Sequence, residues 1–462
     1  VADLDGDGRL AVIWGAHDLV ALDAADGSLR WRARGAARIW ASPAVADLDG
    51  DGRLEIAVGR GGDELTVYGA DGSLRWSVHP FGAGEVRTLA IAALTGDGRL
   101  AVLAGRAAEG ATRQLVAYDA GGTPLPGWPA RHDGEPGYGA GMWNQNVAAA
   151  DLDGDGRVEV IAPTDMHYVS AFDGRGEQLP ASGAFGAGKV WSQVGVHVDE
   201  AVDLRGYARC GTEHRPNFAE SAPLLVDLDG DGTREIVVVG NVHDCSTSPY
   251  TDLHHLPFVF RADRSRWRAG PFDWTVVPSP APGSAPRSED YGVIERAMPN
   301  PVAADLDGDG VKEILYPSYD GRLHAVWLDR RERGAWPFAV PGDGIRFPSE
   351  PAVADLDGDG TAEIVLTSWP QKAGGQRGRL HVLDWLGREV HAVDLPPSSP
   401  AGSWNGALGA PALSRPGPGA DVVAFVGTVH SGVVAYRIPG SGGARILWAT
   451  GRGDPTRSGA PR

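Results

Sequence analysis

This chain has no surplus of positive charge, no long apolar run and almost no cysteine, and each shortage closes off a class of function. Sixty acidic side chains outnumber 42 basic ones, giving a formal charge of −18 over 462 residues. That balance argues against nucleic acid and anionic membranes as partners. No stretch is long and apolar enough to span a bilayer. No signal peptide is visible at the start, where Val1-Ala2-Asp3 already lies inside a motif and reads as trimmed. The only two cysteines, Cys210 and Cys245, allow one disulfide, which an exported protein permits. Nucleophile-elbow, phosphate-loop and dinucleotide fingerprints are missing, and no His-x-x-x-His pair marks a zinc site.

What the chain has in abundance is one acidic nonapeptide. Six copies open Asp-Leu-Asp-Gly-Asp-Gly, and five of them end in Glu. The acids are Asp3, Asp5 and Asp7 in the first copy, then Asp47, Asp49, Asp51 and Glu55 in the second. The third has Asp151, Asp153, Asp155 and Glu159, and the fourth Asp227, Asp229, Asp231 and Glu235. The fifth has Asp305, Asp307, Asp309 and Glu313, and the sixth Asp355, Asp357, Asp359 and Glu363. The first copy ends in Ala11 instead of Glu. Carboxylates packed this closely repel unless a cation sits among them. Oxygen-only donors at alternate positions suit a hard ion such as Ca²⁺. Five or six ions are expected, and six would bring the net charge from −18 to −6. Gly52, at position six of its loop, permits the positive φ that turns the chain around an ion.

The flanks exclude an EF-hand, which needs an acidic twelfth residue between two helices. Position twelve is Trp14, Val58, Ala162, Val238, Tyr316 or Leu366. A β-branched residue follows each ninth position, and runs such as Ile236-Val237-Val238-Val239 read as buried strand. Pro43-Ala44-Val45 and its relatives put proline at a strand's first residue. A further strand and an Asp-Gly hairpin recur behind each loop, as in Leu65–Tyr68 with Asp71-Gly72. One unit is then four antiparallel strands. Two weaker units complete the set. Ala93 to Ala101 keeps the turn with one carboxylate, and Pro411 to Val423 keeps the strands without the loop.

These loops between strands resemble the FG-GAP/VCBS repeats of bacterial surface proteins and are similar to the repeats of the integrin α propeller. The resemblance implies Ca²⁺ bound between the first and second strands of each blade, on the Asp and Glu residues named above. It also implies an all-β chain: one eight-bladed β-propeller domain, residues 1–462, of four-stranded antiparallel blades, with seven blades as the alternative. Long insertions are expected at about 174–222 and 241–299. The fourth-strand tryptophans Trp31, Trp76, Trp128, Trp336 and Trp448 read as packing between blades.

Function is less legible. A monomeric, secreted, cell-surface or periplasmic binding or adhesion module for a protein or glycan is one expectation. The other is a carbohydrate-active enzyme, such as a polysaccharide lyase, on a calcium propeller. His197, His214, His243 and Arg215, in the insertions with His254 and His255, form the one cluster that would carry such chemistry if it met on the ring axis. Residues 261–286 read as a surface loop over the ring face. Arg452-Gly453-Asp454 spells an adhesion tripeptide but reads as a chance match or a ring-closing turn.

Overall fold

The computed structural model describes every residue except 108–113, 129–146, 165–166, 219–220, 245, 247–253, 279–299, 319, 343–345 and 461–462. It is nearly all β, with eight small antiparallel sheets in a ring: an eight-bladed propeller. Blade 2 shows the plan. Ala44–Ala46, Glu55–Arg60, Glu64–Tyr68 and Leu74–Val78 pair in sequence order, with the acidic loop between the first two. Its first strand is fully buried and its fourth alternates between exposed and half-buried, so the first faces the axis and the fourth the rim. Blades 1, 6 and 7 likewise have four strands. In blades 3, 4 and 5 the fourth strand shrinks to single bridges, Tyr118 to Pro124, Phe172 to Gln178 and Phe260 to Arg266. Among the described residues no helix is long and apolar enough to cross a membrane.

Adjacent blades are joined by a repeated device. The indole N–H groups of Trp31, Trp76, Trp128 and Trp336 donate to the carbonyls of Ala70, Ala120, Gly174 and Trp385 in the next blade, at 2.8, 2.8, 3.0 and 2.9 Å. The hairpin glycine beneath is needed twice. Gly122 has φ +82°, and a Cβ there would stand 2.8 Å from Trp76 Cδ2. Trp448 departs from the expected role. Its strand, Arg445–Trp448, leaves blade 8 and pairs with the first strand of blade 7.

From there the chain runs along the inner strands. The carbonyls of Ala449, Pro455, Thr456, Ser458 and Gly459 accept the N–H groups of Leu413, Val45, Ile91, Ala149 and Leu225, at 2.7–2.9 Å. These donors lie on the first strands of blades 8, 2, 3, 4 and 5, whose inner edges would otherwise go unpaired. The tail is an axial strap. Arg452 within it is fully buried, and its guanidinium donates to the carbonyls of Val147 (3.3 Å) and Pro223. The adhesion tripeptide is therefore part of the ring's interior seam.

Of the expected surface loop at 261–286, residues 279–286 lie outside the described residues, and residues 261–278 depart from the expectation. Trp267 and Trp274 are 2% and 1% exposed, and Trp274 donates to Leu328 of blade 6. Two large apolar rings cannot stay on a loop in water, so this segment packs as a blade edge. Within 241–299, His254–Phe260 is the third strand of blade 5. Within 174–222 lie a short helix, Glu200–Arg205, and a strand, His214–Asn217, that extends the same sheet.

Candidate metal centres and the opposite face

The acidic loops are pre-shaped by their own backbone. In blade 2 the Asp47 carboxylate accepts the N–H of Gly50 at 2.7 Å and of Gly52 at 2.9 Å. Asp151, Asp227, Asp305, Asp355 and Asp3 repeat the pair of bonds. The ninth-position Glu is held by the second residue. Glu55, Glu159, Glu235, Glu313 and Glu363 each accept one leucine N–H at 2.7–3.0 Å. One oxygen is thereby spent on the loop, and the other is left for a ligand.

Oxygens of the first, third and ninth residues come within 4.8 Å of one another in the loops of blades 2, 4, 5 and 6. Asp3, Asp5 and Asp7 do the same in blade 1. In blades 2, 4, 5 and 6 the fifth-position Asp stands outside these sets and accepts the N–H of the seventh residue, as Asp51 does from Arg53 at 2.8 Å. Oε1 of Glu313 is fully buried without a hydrogen-bond partner. Burial first, then the nearby aspartates, push Glu313 up to about 8 and Glu159, Glu235 and Glu363 up to about 7. A partnerless carboxylate oxygen aimed among acids fits a divalent cation, and the all-oxygen donor set suits a hard one.

The loops also touch one another. Leu306 donates its N–H to Glu313 and accepts at its carbonyl the N–H of Ala362 in blade 7, at 2.9 Å. Leu228 does the same between Glu235 and Lys312 of blade 6, at 2.8 Å. Leu4 of blade 1 accepts Leu54 of blade 2. Side chains add to the belt: Lys312 reaches the Asp227 carbonyl at 2.6 Å and Arg234 the Asp151 carbonyl at 3.2 Å. The backbone bonds join the second residue of one loop to the eighth of the next, and the side-chain bonds run from the eighth residue to the first of the preceding loop. The third unit departs from this pattern: Asp97 is occupied by the Thr95 hydroxyl at 2.5 Å and the Arg99 N–H.

The turns between second and third strands lie on the opposite face. There the structure gathers His197, Arg215 and His243 with His167, which the sequence did not single out. They come from blade 4, the insertion after it and the sheet of blade 5. The rings of His167 and His197 are 5.5 Å apart. Nδ1 of His197 donates to Asp203 at 2.9 Å, and the fully buried Asp203 is flanked by Arg264 and Arg266 at 3.4 and 3.1 Å. Although buried, Asp203 is held below the usual carboxylate range, with Arg266 the strongest opposing influence. His214 lies beside this group on the same strand as Arg215, while His255 turns away to the Ser318 hydroxyl. His254 begins the third strand of blade 5. Cys210 carries no free thiol, and Cys245 lies outside the described residues. On the same face a cavity of about 510 Å³ opens beside the strap, with Trp14, Trp40 and Glu350 in its wall. Trp40 is already engaged by the guanidinium groups of Arg38 and Arg87, 4.3 and 4.5 Å from its ring.

Comparison with known proteins agrees with the repeats. The FG-GAP-like repeat family matches residues 3–58 and 305–366. No curated protein sequence matches the chain. Among solved structures, the exotype rhamnogalacturonan lyase YesX is similar at 18% identity and TM-score 0.53, over 98% of this chain and 73% of that one. A rhamnogalacturonan lyase from Bacillus licheniformis gives 18% and 0.51, over 100% and 76%. The computationally designed Ika8 protein gives 12% and 0.51, over 93% of both chains. Identities this low establish a shared fold and leave activity open.

Proposed function

We propose that this eight-bladed FG-GAP-like repeat propeller is a calcium-stabilised binding module of the cell exterior or periplasm, holding a protein or glycan on the face opposite its metal loops. The observation that carries the metal half is the buried Glu313 Oε1, partnerless among converging aspartates. Calcium fits because every donor is oxygen and because glycines allow the loop to close around a large ion. Millimolar calcium outside cells would keep such sites filled. Filled loops have their acids committed to the ion, so the ligand face is the other one. Elemental analysis after dialysis against millimolar calcium tests the metal. Five or six equivalents are expected, and a metal-free protein would end this reading. A glycan array probed with calcium-loaded protein tests the ligand.

One observation favours a second reading, a carbohydrate-active enzyme of the polysaccharide-lyase type. His197 is oriented by a buried carboxylate, as a general base requires, and its ring lies 5.5 Å from that of His167, which feels the charge of Arg215. Release of unsaturated uronates from acidic polysaccharides would support this reading. Failure to release them across pectic, alginate and glycosaminoglycan substrates would leave the binding module.

A further inference from the structure

We infer that His167, His197, Arg215 and His243 form a binding site for a hydroxylated carboxylate, the chemistry of an acidic sugar residue. This names a ligand class for the face proposed above and rests on that reading.

Four separate segments supply the site: the turn after Glu159–Pro163, the insertion, the strand His214–Asn217 and the far end of Glu235–Asp244. Arg215 and His243 are directly opposed partners across two antiparallel strands, so their side chains share one sheet face. The insertion is fastened to the turn by the Val196 N–H, which donates to the His167 carbonyl at 2.7 Å. Gly195 keeps the space between two rings open. A Cβ there would lie 3.2 Å from His167 Nε2 and 3.3 Å from His197 Cε1.

The protonation pattern follows from the partners. Asp203 can only accept, so His197 carries a proton on Nδ1. The Asn241 carbonyl, 3.3 Å from His243 Nδ1, places a proton on the same nitrogen there. Neither Nε2 has a hydrogen-bond partner among the described residues, although the two side chains are nearly buried. Burial and Arg215 push His167 down to about 3, and they also lower His243, so both stay neutral acceptors at physiological pH. Arg215 has no ion-pair partner among the described residues. Among the described residues the nearby acids are committed elsewhere: Glu213 to Arg205, Asp244 to the N–H groups of Gly211 and Ser246, Asp203 to its own two arginines.

The site thus offers acceptors beside one cation that has no ion-pair partner among the described residues. A matching ligand brings hydroxyl donors beside a carboxylate. Inorganic phosphate has charge but few donors for neutral imidazoles. A metal ion would meet the charge of Arg215. A neutral sugar would leave the guanidinium without its counter-ion.

The test is calorimetric titration of the calcium-loaded protein with galacturonate, galactose, acetate, phosphate and Zn²⁺. Galacturonate is expected to bind about tenfold or more tighter than galactose or acetate, since a site built to pair a group rejects analogues lacking it. Arg215→Gln should remove that margin while leaving calcium stoichiometry intact. If that variant does not fold, Arg215→Lys and the imidazole chemical shifts of His167 and His243 in the wild type carry the test, both resonances moving with galacturonate. Equal affinity for galacturonate and acetate overturns the assignment, as does unchanged affinity in a folded Arg215→Gln. Tighter binding of phosphate or Zn²⁺ overturns it too. Array hits that survive Arg215→Gln would keep the binding module and sink this site. Loss of calcium binding with galacturonate binding intact would do the reverse.

Discussion

Replacing Glu313 with Gln separates the two roles of the ninth carboxylate. In metal-free protein Glu313 is fully buried, accepts one N–H from Leu306 at 2.8 Å, and is pushed up to about 8 from 4.5 by burial and by Asp305, Asp307 and Asp309. Its folded pKa lies above the unfolded one. Its contribution is therefore fully present below about pH 4.5 and is lost as pH rises toward 8. At pH 7 the unfolded chain has released the proton while the folded, empty site still holds it. Folding then costs about 3 kcal/mol at this one group, at 1.36 kcal/mol per pKa unit. Gln keeps the bond from Leu306 and carries no charge, so it removes that cost. At about 2.1 cal/mol/K per residue the unfolding entropy is about 1 kcal/mol/K, and Glu313→Gln should melt about 3 °C above wild type in EDTA at pH 7. At pH 5 the difference should shrink to about 1 °C, and at pH 4 it should nearly vanish. In calcium the wild type gains about 1.4 kcal/mol per tenfold rise in free ion above the dissociation constant, and the variant, lacking a ligand, does not gain it at this site. The variant's advantage should therefore shrink by about 1.4 °C per decade of calcium. Scanning calorimetry at several pH and calcium values reads all three effects. A variant that melts below wild type in EDTA at pH 7, or a difference indifferent to calcium, would refute the reasoning.

Three other outcomes are expected. Excess EDTA should lower the melting temperature by about 8 °C from that in calcium at tenfold over the dissociation constant, with six sites each contributing about 1.4 kcal/mol; an unchanged melt would argue against structural calcium. Gly122→Ala places a Cβ against the Trp76 indole at φ +82° and should cost about 2–4 kcal/mol in urea unfolding, against about 1 kcal/mol for Gly8→Ala, where the space is open. Because Leu228, Leu306 and Ala362 chain the loops of blades 5, 6 and 7 together, Asp307→Ala should weaken calcium binding in blades 5 and 7 several-fold while sparing blades 1 and 2; equal effects on every site in a titration would mean the belt transmits nothing.

The acidic loops and the strand order were readable because their causes are local. A nonapeptide of alternating acids and glycines turns on its own hydrogen bonds, as Asp47 does with Gly50 and Gly52. The indole bridges were readable in part. Trp31, Trp76, Trp128 and Trp336 recur at one position of the unit, and the carbonyls they reach lie in the next unit. His167 carried no signal, since an ordinary blade turn holds it and only the insertion gives it neighbours. Trp267 and Trp274 did carry one, because paired tryptophans in a loop-like stretch ask for burial.

The sequence by itself determined the repeat, the all-oxygen donor set of each acidic loop and the ring, since all three follow from spacing within about nine or about forty residues. Only the tertiary structure decided how the ring is sealed, which loops touch, and where the histidines meet. Arg452 and Val147 are neighbours across 305 positions of chain. No local pattern encodes the contacts that residues 449–459 make with inner strands so distant in sequence.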